Sequence, residues 1–193
     1  MNKILITGSE GLLSSNIISK LIKTKNELFV TSRCDKKSSH HNLKFINIDF
    51  SKDWSDNILP KQIDIVIHLA QSDKFRDFPN MASDIFKVNI ESTAKLLNYG
   101  RKISIKKFIY TSSGGVYAKN KDAFKENYPI ISPGNLGFYL GSKASSEILV
   151  QSYSSIFNVV IFRPFFMYGK KQKKQMLMPR LMSNIIHNKK IKL

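Results

Sequence analysis

Short apolar runs recur along the chain at Lys3 to Thr7, Glu27 to Thr31, Leu43 to Ile48, Asp64 to Leu69, Lys107 to Ser112 and Asn158 to Phe162. Their length and the turn residues that bound them predict six buried strands. Between them lie segments with helical spacing: Leu12 to Ile22, Met81 to Tyr99, and Phe138 to Ser155, where Ala144, Ile148, Leu149 and Tyr153 fall on one side. Another such segment, Met178 to Asn188, runs into Lys189-Lys190-Ile191-Lys192-Leu193, which resembles the start of a further strand. Strands that alternate with helices require crossover connections, and so a parallel sheet covered on both faces. The near-continuous apolar character of IDIVIHLA and KKFIYTSS fits strands buried on both sides. The fold class expected is a doubly wound α/β domain, with its ligand at the carboxyl ends of the strands.

Composition narrows this picture without changing it. A chain of 193 residues, 42% apolar and 11% aromatic, suffices for one sizeable core. It holds no apolar stretch near the length of a bilayer crossing, so no membrane insertion is expected. The opening MNKILITG lacks the apolar region and cleavage site of a signal peptide. A lone cysteine, Cys34, fits a reducing compartment, and the expected location is cytoplasmic. The formal charge of +17 invites a nucleic-acid reading. Its 31 basic residues are nearly all lysines scattered along the chain, with only five arginines, which lacks the planar forks that read bases and phosphates. No specific nucleic-acid partner is expected, and the densest cluster, Lys170 to Lys174, reads as a solvated loop.

Three constellations carry candidate chemistry. Gly8 and Gly11, where the first strand meets the first helix, suit a turn that brings the backbone close to a pyrophosphate, with helix N–H groups facing it. Strand ends also carry glycine as plain punctuation, and Ile6 stands where the first glycine of G-x-G-x-x-G would be. Tyr139 and Lys143, four apart on a helix, share one face. An ammonium beside a phenol favours the phenolate, and so a proton transfer to or from a hydroxyl or carbonyl. Such a pair is also a common surface neighbour. Ser112 and Ser113 follow the fifth strand and precede Gly114-Gly115, where a hydroxyl would reach a substrate oxygen or simply shape a turn.

Taken together, Thr7-Gly8-x-x-Gly11, VIHLA at Val66 to Ala70, VNIEST at Val88 to Thr93, TSSGGVY at Thr111 to Tyr117, Tyr139-x-x-x-Lys143 and RPFFMYG at Arg163 to Gly169 resemble the extended short-chain dehydrogenases/reductases. The similarity is to their NAD-dependent epimerase/dehydratase branch, which acts on nucleotide sugars, and it spans essentially the whole chain. It implies a Rossmann-type domain over residues 1–169. Residues 170–193 would form a basic loop and helix that begin a smaller substrate-binding region, most of which lies outside this chain. The resemblance makes Tyr139 the general acid/base, Lys143 the partner of the nicotinamide ribose, and Ser113 the donor to the reacting oxygen. Gly8, Gly11, Leu12 and Leu13 would lie under the pyrophosphate. Asp49 and Phe50 would contact adenine, Leu69 and Ala70 would follow the cofactor, and Asn89 would support the site from its helix. His68 is assigned no catalysis. A homodimer through the two long helices is also implied.

Several positions depart from the family pattern. Ser14 replaces a third glycine or alanine. After the second strand Thr31, Ser32 and Arg33 stand where an acid would grip the ribose of NAD. An arginine beside a hydroxyl suits a 2′-phosphate, which puts NADP ahead of NAD as the expected cofactor. Gly114 and Gly115 occupy the places of the Asp-Glu pair of the dehydratases, and Phe166 that of an asparagine near the substrate. The function expected is an NAD(P)-dependent sugar-nucleotide epimerase or 4-keto reductase in surface-polysaccharide precursor synthesis, with no metal. The competing readings are a non-catalytic dinucleotide-binding module and a basic nucleic-acid-binding protein. Turnover separates the first from the enzyme, and steep salt dependence marks the second.

Overall fold

The computed structural model describes residues 1–117, 123–130, 137–170, 172, 174 and 176–190. Six strands form one all-parallel sheet: β1 (Lys3–Thr7), β2 (Glu27–Ser32), β3 (Leu43–Asn47), β4 (Ile65–His68), β5 (Lys107–Thr111) and β6 (Asn158–Phe162), in the order β3-β2-β1-β4-β5-β6. The order reverses between β1 and β4, and at such a point two neighbouring crossovers depart to opposite sides and open a crevice at the strands' carboxyl ends. The expected strands match these spans to within one residue at each end.

Crossover helices follow the predicted segments. Helix α1 (Leu12–Leu21) joins β1 to β2, and α4 (Gly137–Gln151) joins β5 to β6. Between β4 and β5 runs a continuous helical stretch: α2 (Ala82–Phe86), one wide π-helical turn (Lys87–Glu91) and α3 (Ser92–Lys102). β2 passes to β3 without a helix, and the link from β3 to β4 holds only a short 3-10 turn, Asp56–Ile58. The helix expected from Met178 appears as α5 (Leu177–Ile186). The strand expected at its end falls at residues 189–193, of which 191–193 lie outside the described residues.

The pleat sorts the apolar side chains onto two faces. Ile4, Ile6, Leu28, Val30 and Ile67 meet Ile17, Ile18 and Leu21 of α1 on one side. Leu5, Val66, Phe108 and Tyr110 meet Leu96, Leu97 and Tyr99 of α3 and Val150 of α4 on the other. Both faces are therefore covered around β1, as a parallel sheet requires. On β6, Val160 and Phe162 stand exposed, as do Met182, Ile185 and Ile186 of α5. Among the described residues no helix is long and apolar enough to cross a membrane.

Candidate active site at the strand ends

At the end of β1 the chain must leave the sheet and enter α1 within a few residues. Gly8 does so with φ at +78°, and a β-carbon there would lie 2.9 Å from Ala70 Cα, in the loop after β4. Only glycine fits both the angle and the approach. Gly11 N–H donates to Gly8 O at 3.3 Å, and Gly11 is the N-cap residue of α1 without a side-chain cap. The first-turn N–H groups, among them those of Leu12 and Leu13, thus have neither an intrahelical acceptor nor a capping side chain, the condition that suits an anionic oxygen. Ser14 fits the close packing expected of glycine or alanine. It is buried, and its hydroxyl lies against the carbonyls of Gly8 and Gly11, so the added polar atom is satisfied by the turn itself.

A hydroxyl ties β1 to β4. Thr7 Oγ1 accepts the N–H groups of Leu69 and Ala70, each at 3.0 Å, which occupies both its lone pairs. Its proton must then go to His68 Nδ1, 2.7 Å away. That fixes the ring as the Nε2–H tautomer, which donates to Thr93 Oγ1 at 3.0 Å, and Thr93 in turn donates to Asn89 O at 2.6 Å. Burial, helped by the charge of Lys143, pushes the His68 imidazole down to about 3, so the ring is neutral throughout the physiological range. His68 is a structural link, as expected. The backbone N–H groups of Leu69 and Ala70 are thus held by the Thr7 side chain.

Asn89 sits in the wide π turn and is buried. Its Oδ1 accepts Ser72 N–H at 2.9 Å and its Nδ2 donates to Ser142 Oγ at 2.8 Å, while its carbonyl also takes Ser146 Oγ at 2.9 Å. Ser142 donates to Tyr139 O at 2.6 Å. Asn89 therefore ties the wide turn to the part of α4 that bears Tyr139.

Tyr139 and Lys143 share a face of α4, but each has its own partner. Tyr139 donates its hydroxyl to Gln71 Oε1 at 3.0 Å and its ring lies 4.9 Å from that of Phe75. Burial holds its phenol above the ordinary tyrosine value against a smaller downward pull from the Gln71 bond. The depression expected from Lys143 is therefore not the governing effect. The Lys143 ammonium, 1% exposed, donates to Thr111 O at 2.9 Å and lies 5.3 Å from the centre of the Tyr110 ring. Burial brings it down to about 7, with Glu147 pulling the other way.

The strand end that Lys143 reaches leads directly to the two serines. Ser113 caps the 3-10 turn Gly114–Val116, its Oγ accepting Gly115 N–H at 3.2 Å. Ser112 Oγ is buried and has no protein partner among the described residues. A β-carbon on Gly115 would come within 3.0 Å of Leu140, so this turn abuts the first turn of α4 beside Tyr139. A β-carbon on Gly114 would meet the Phe165 ring at 2.6 Å, so that ring lies directly over Gly114. The sequence reading missed Gln71 and Phe75, which reach Tyr139 from the loop after β4. It also missed the pair of half-buried Arg163 with buried Glu147, 2.7 Å apart, which clips the end of β6 to α4.

At the outer end of the crevice the assigned residues are also present. Ser32 closes β2, buried, with Oγ accepting Cys34 N–H at 3.1 Å and donating to Glu10 Oε1 at 2.7 Å. Arg33 is exposed and pairs with Asp73 at 3.3 Å. Asp49 accepts Ser51 N–H at 3.0 Å and Ser51 Oγ at 2.7 Å. Burial opposes its ionisation, but those bonds and the nearby Lys52 and Arg33 carry it below the usual carboxylate value. The Phe50 side chain is a core residue, 7% exposed and edge-on to Trp54 at 5.2 Å. Among the described residues no group of His, Cys, Asp and Glu could hold a metal ion.

Known proteins resemble this chain in sequence and fold. The chain is 32% identical to a dTDP-D-glucose 4,6-dehydratase of Dictyostelium discoideum over 98% of its own length and 49% of that protein. Its fold matches the UDP-glucuronic acid 4-epimerase of Bacillus cereus in complex with NAD, with a TM-score of 0.79 and 25% identity over 97% of this chain and 64% of that one. It matches the UDP-N-acetylglucosamine 4-epimerase of Methanobrevibacter ruminantium M1, in complex with UDP-N-acetylmuramic acid, with a TM-score of 0.83 and 26% identity over the same shares. The chain thus spans about half to two thirds of the length of these relatives. With residues 4–193 matching the family's sequence profile, the chain belongs to the NAD dependent epimerase/dehydratase family.

Proposed function

We propose that this chain carries the cofactor-binding and proton-transfer half of a nucleotide-sugar epimerase or 4-keto reductase. The observation that carries this reading is that Lys143 reaches the end of β5, where Ser112 and Ser113 follow, while Tyr139, one helical turn before it, reaches the loop after β4 that packs onto the Gly8 turn. The residues fit a dinucleotide, because the glycine turn and the uncapped start of α1 offer N–H groups to a pyrophosphate. A bound nicotinamide would supply the acceptor and donor of hydride at a sugar carbon.

The protein's own part is to hold and move a proton. Tyr139, protonated at neutral pH because burial raises its pKa, would exchange its bond to Gln71 for the sugar oxygen and give its proton to that oxygen as hydride arrives, and in the reverse direction its phenolate would take the hydroxyl proton as hydride leaves. Lys143, near neutrality in its own titration, stabilises a phenolate there once Tyr139 has lost its proton. Ser113 donates to the reacting oxygen. Phe165 over Gly114 favours epimerisation or reduction over water elimination, because no carboxylate stands there to act as acid or base. A homodimer through α3 and α4 belongs to the same reading, and the apolar Ile148, 68% exposed on α4, supports it. So does a role in supplying activated sugars for surface polysaccharide. Nucleic acid is not among the proposed partners, since the positive charge is carried by lysines scattered along the chain with only five arginines among 31 basic residues.

Calorimetric titration with NAD, followed by turnover assays on UDP- and dTDP-hexoses, tests the reading. Tyr139→Phe is expected to keep dinucleotide binding within about threefold while lowering turnover by about a hundredfold or more. Unchanged turnover would remove Tyr139 from the chemistry. Wild-type binding without turnover of any nucleotide sugar would favour a binding module instead.

A further inference from the structure

The end of β2 carries no acid of its own, yet a carboxylate is there. Glu10, between Gly8 and Gly11, reaches across the crevice, and its Oε1 takes both Ser32 Oγ and Lys36 Nζ at 2.7 Å. Its side chain is 41% exposed, so it stands at the rim of the crevice, open to a ligand. Burial works against its charge, but Lys36 and Ser32 more than offset this and hold the carboxyl at about 2, ionised at any working pH. Its place follows from the fold, because the turn that would carry the pyrophosphate also carries Glu10.

Arg33 stands beside this group within a ring of negative charge. Its guanidinium pairs with Asp73 at 3.3 Å and also feels the carboxylates of Asp49 and Glu10. We propose that Glu10 supplies, from the glycine turn, the carboxylate that accepts the adenosine ribose hydroxyls, and that the chain therefore selects NAD over NADP. The inference rests on the dinucleotide reading above and reverses the preference that Arg33 suggested in the sequence. A ribose 2′-hydroxyl donates to a carboxylate, whereas a 2′-phosphate, with a charge of about −1.5 to −2, would stand against the Glu10 carboxylate, whose cation Lys36 is already paired with it. The two cations beside it, Arg33 and Lys36, are engaged by Asp73 and Glu10.

Titration of NAD and NADP into the wild type, Glu10→Gln and Arg33→Ala at a fixed salt concentration tests this. The wild type is expected to bind NAD about tenfold or more tighter than NADP. Glu10→Gln should weaken NAD by about tenfold and narrow or invert the ratio, while Arg33→Ala keeps the NAD preference. The ratio within one variant does not depend on how much of it is folded, so a loss of stability cannot mimic the result. Tighter binding of NADP by the wild type, lost on Arg33→Ala, would overturn the inference and return Arg33 to the role of phosphate ligand. An unchanged ratio in Glu10→Gln would likewise remove Glu10 from the ribose. Binding of neither dinucleotide by folded wild type would overturn the dinucleotide reading itself.

Discussion

Lys143 sits where water no longer supports a charge: 1% exposed, with a backbone carbonyl and the face of a tyrosine ring as its near neighbours. Its folded-state value, about 7, lies below that of the unfolded chain, so the unfolded state binds the proton more strongly between pH 7 and about 10.5. Stability from this group is full above that window and is lost as pH falls through it. At pH 7 Lys143 therefore costs stability, and Lys143→Met should raise Tm, by the equivalent of about 2–4 kcal/mol before the lost bond to Thr111 is counted. Thermal melts at pH 7 and pH 10 check this, with the gain over wild type shrinking at the higher pH. An equal gain at both would tie it to packing. The positions of Tyr139 and Lys143 were legible because a four-residue spacing fixes a shared face whatever surrounds it. Gln71 and Glu10 were not, because their partners, Tyr139 and Ser32, lie 68 and 22 residues away and meet them only through the sheet order.

Among the elements, β1, β4 and α3 are held to one another by the run of bonds from Thr7 through His68 to Thr93. The run needs a neutral imidazole, since a second N–H on the ring would face the Thr7 hydroxyl proton. With the His68 value depressed to about 3 against about 6.5 when unfolded, stability is complete above pH 6.5 and declines as pH falls towards 3. Between pH 6.5 and 5 this amounts to about 1–2 kcal/mol, a range in which the depressed carboxylates do not yet titrate. Urea unfolding across that interval should show the decline in the wild type and a flatter profile in His68→Gln. A decline of equal slope in the variant would place the proton elsewhere. The apolar neighbours of His68 marked it in the sequence as part of a strand, which holds. The tautomer and the bonds could not be read there, since they depend on which strand end lies next to which.

For the molecule as a whole, the alternation of apolar runs and helical segments predicted six strands and a parallel sheet because the runs are short, bounded by turn residues and, in the central strands β1, β2 and β4, buried on both faces. The charge of +17 was as legible, and its consequence is a self-repulsion that the scattered ion pairs do not cancel. Raising sodium chloride from about 0.02 to 0.3 M should therefore raise Tm by a few degrees, since screening weakens the repulsion more than it weakens exposed pairs. A scan of Tm against salt decides this, and a fall would mean that the pairs outweigh the repulsion. The crossover from β4 to β5 carries a last consequence. Its wide turn at Lys87–Glu91 holds one residue more than an α-helix would use at that place. Deleting a residue there would give a more regular helix, yet it would swing the preceding turns by about 100°. Asn89 would lose its grip on Ser72 and Ser142 together. A shorter chain with better local hydrogen bonding would thus be the poorer protein, and the spare residue acts as a spacer that sets where α4 presents its tyrosine.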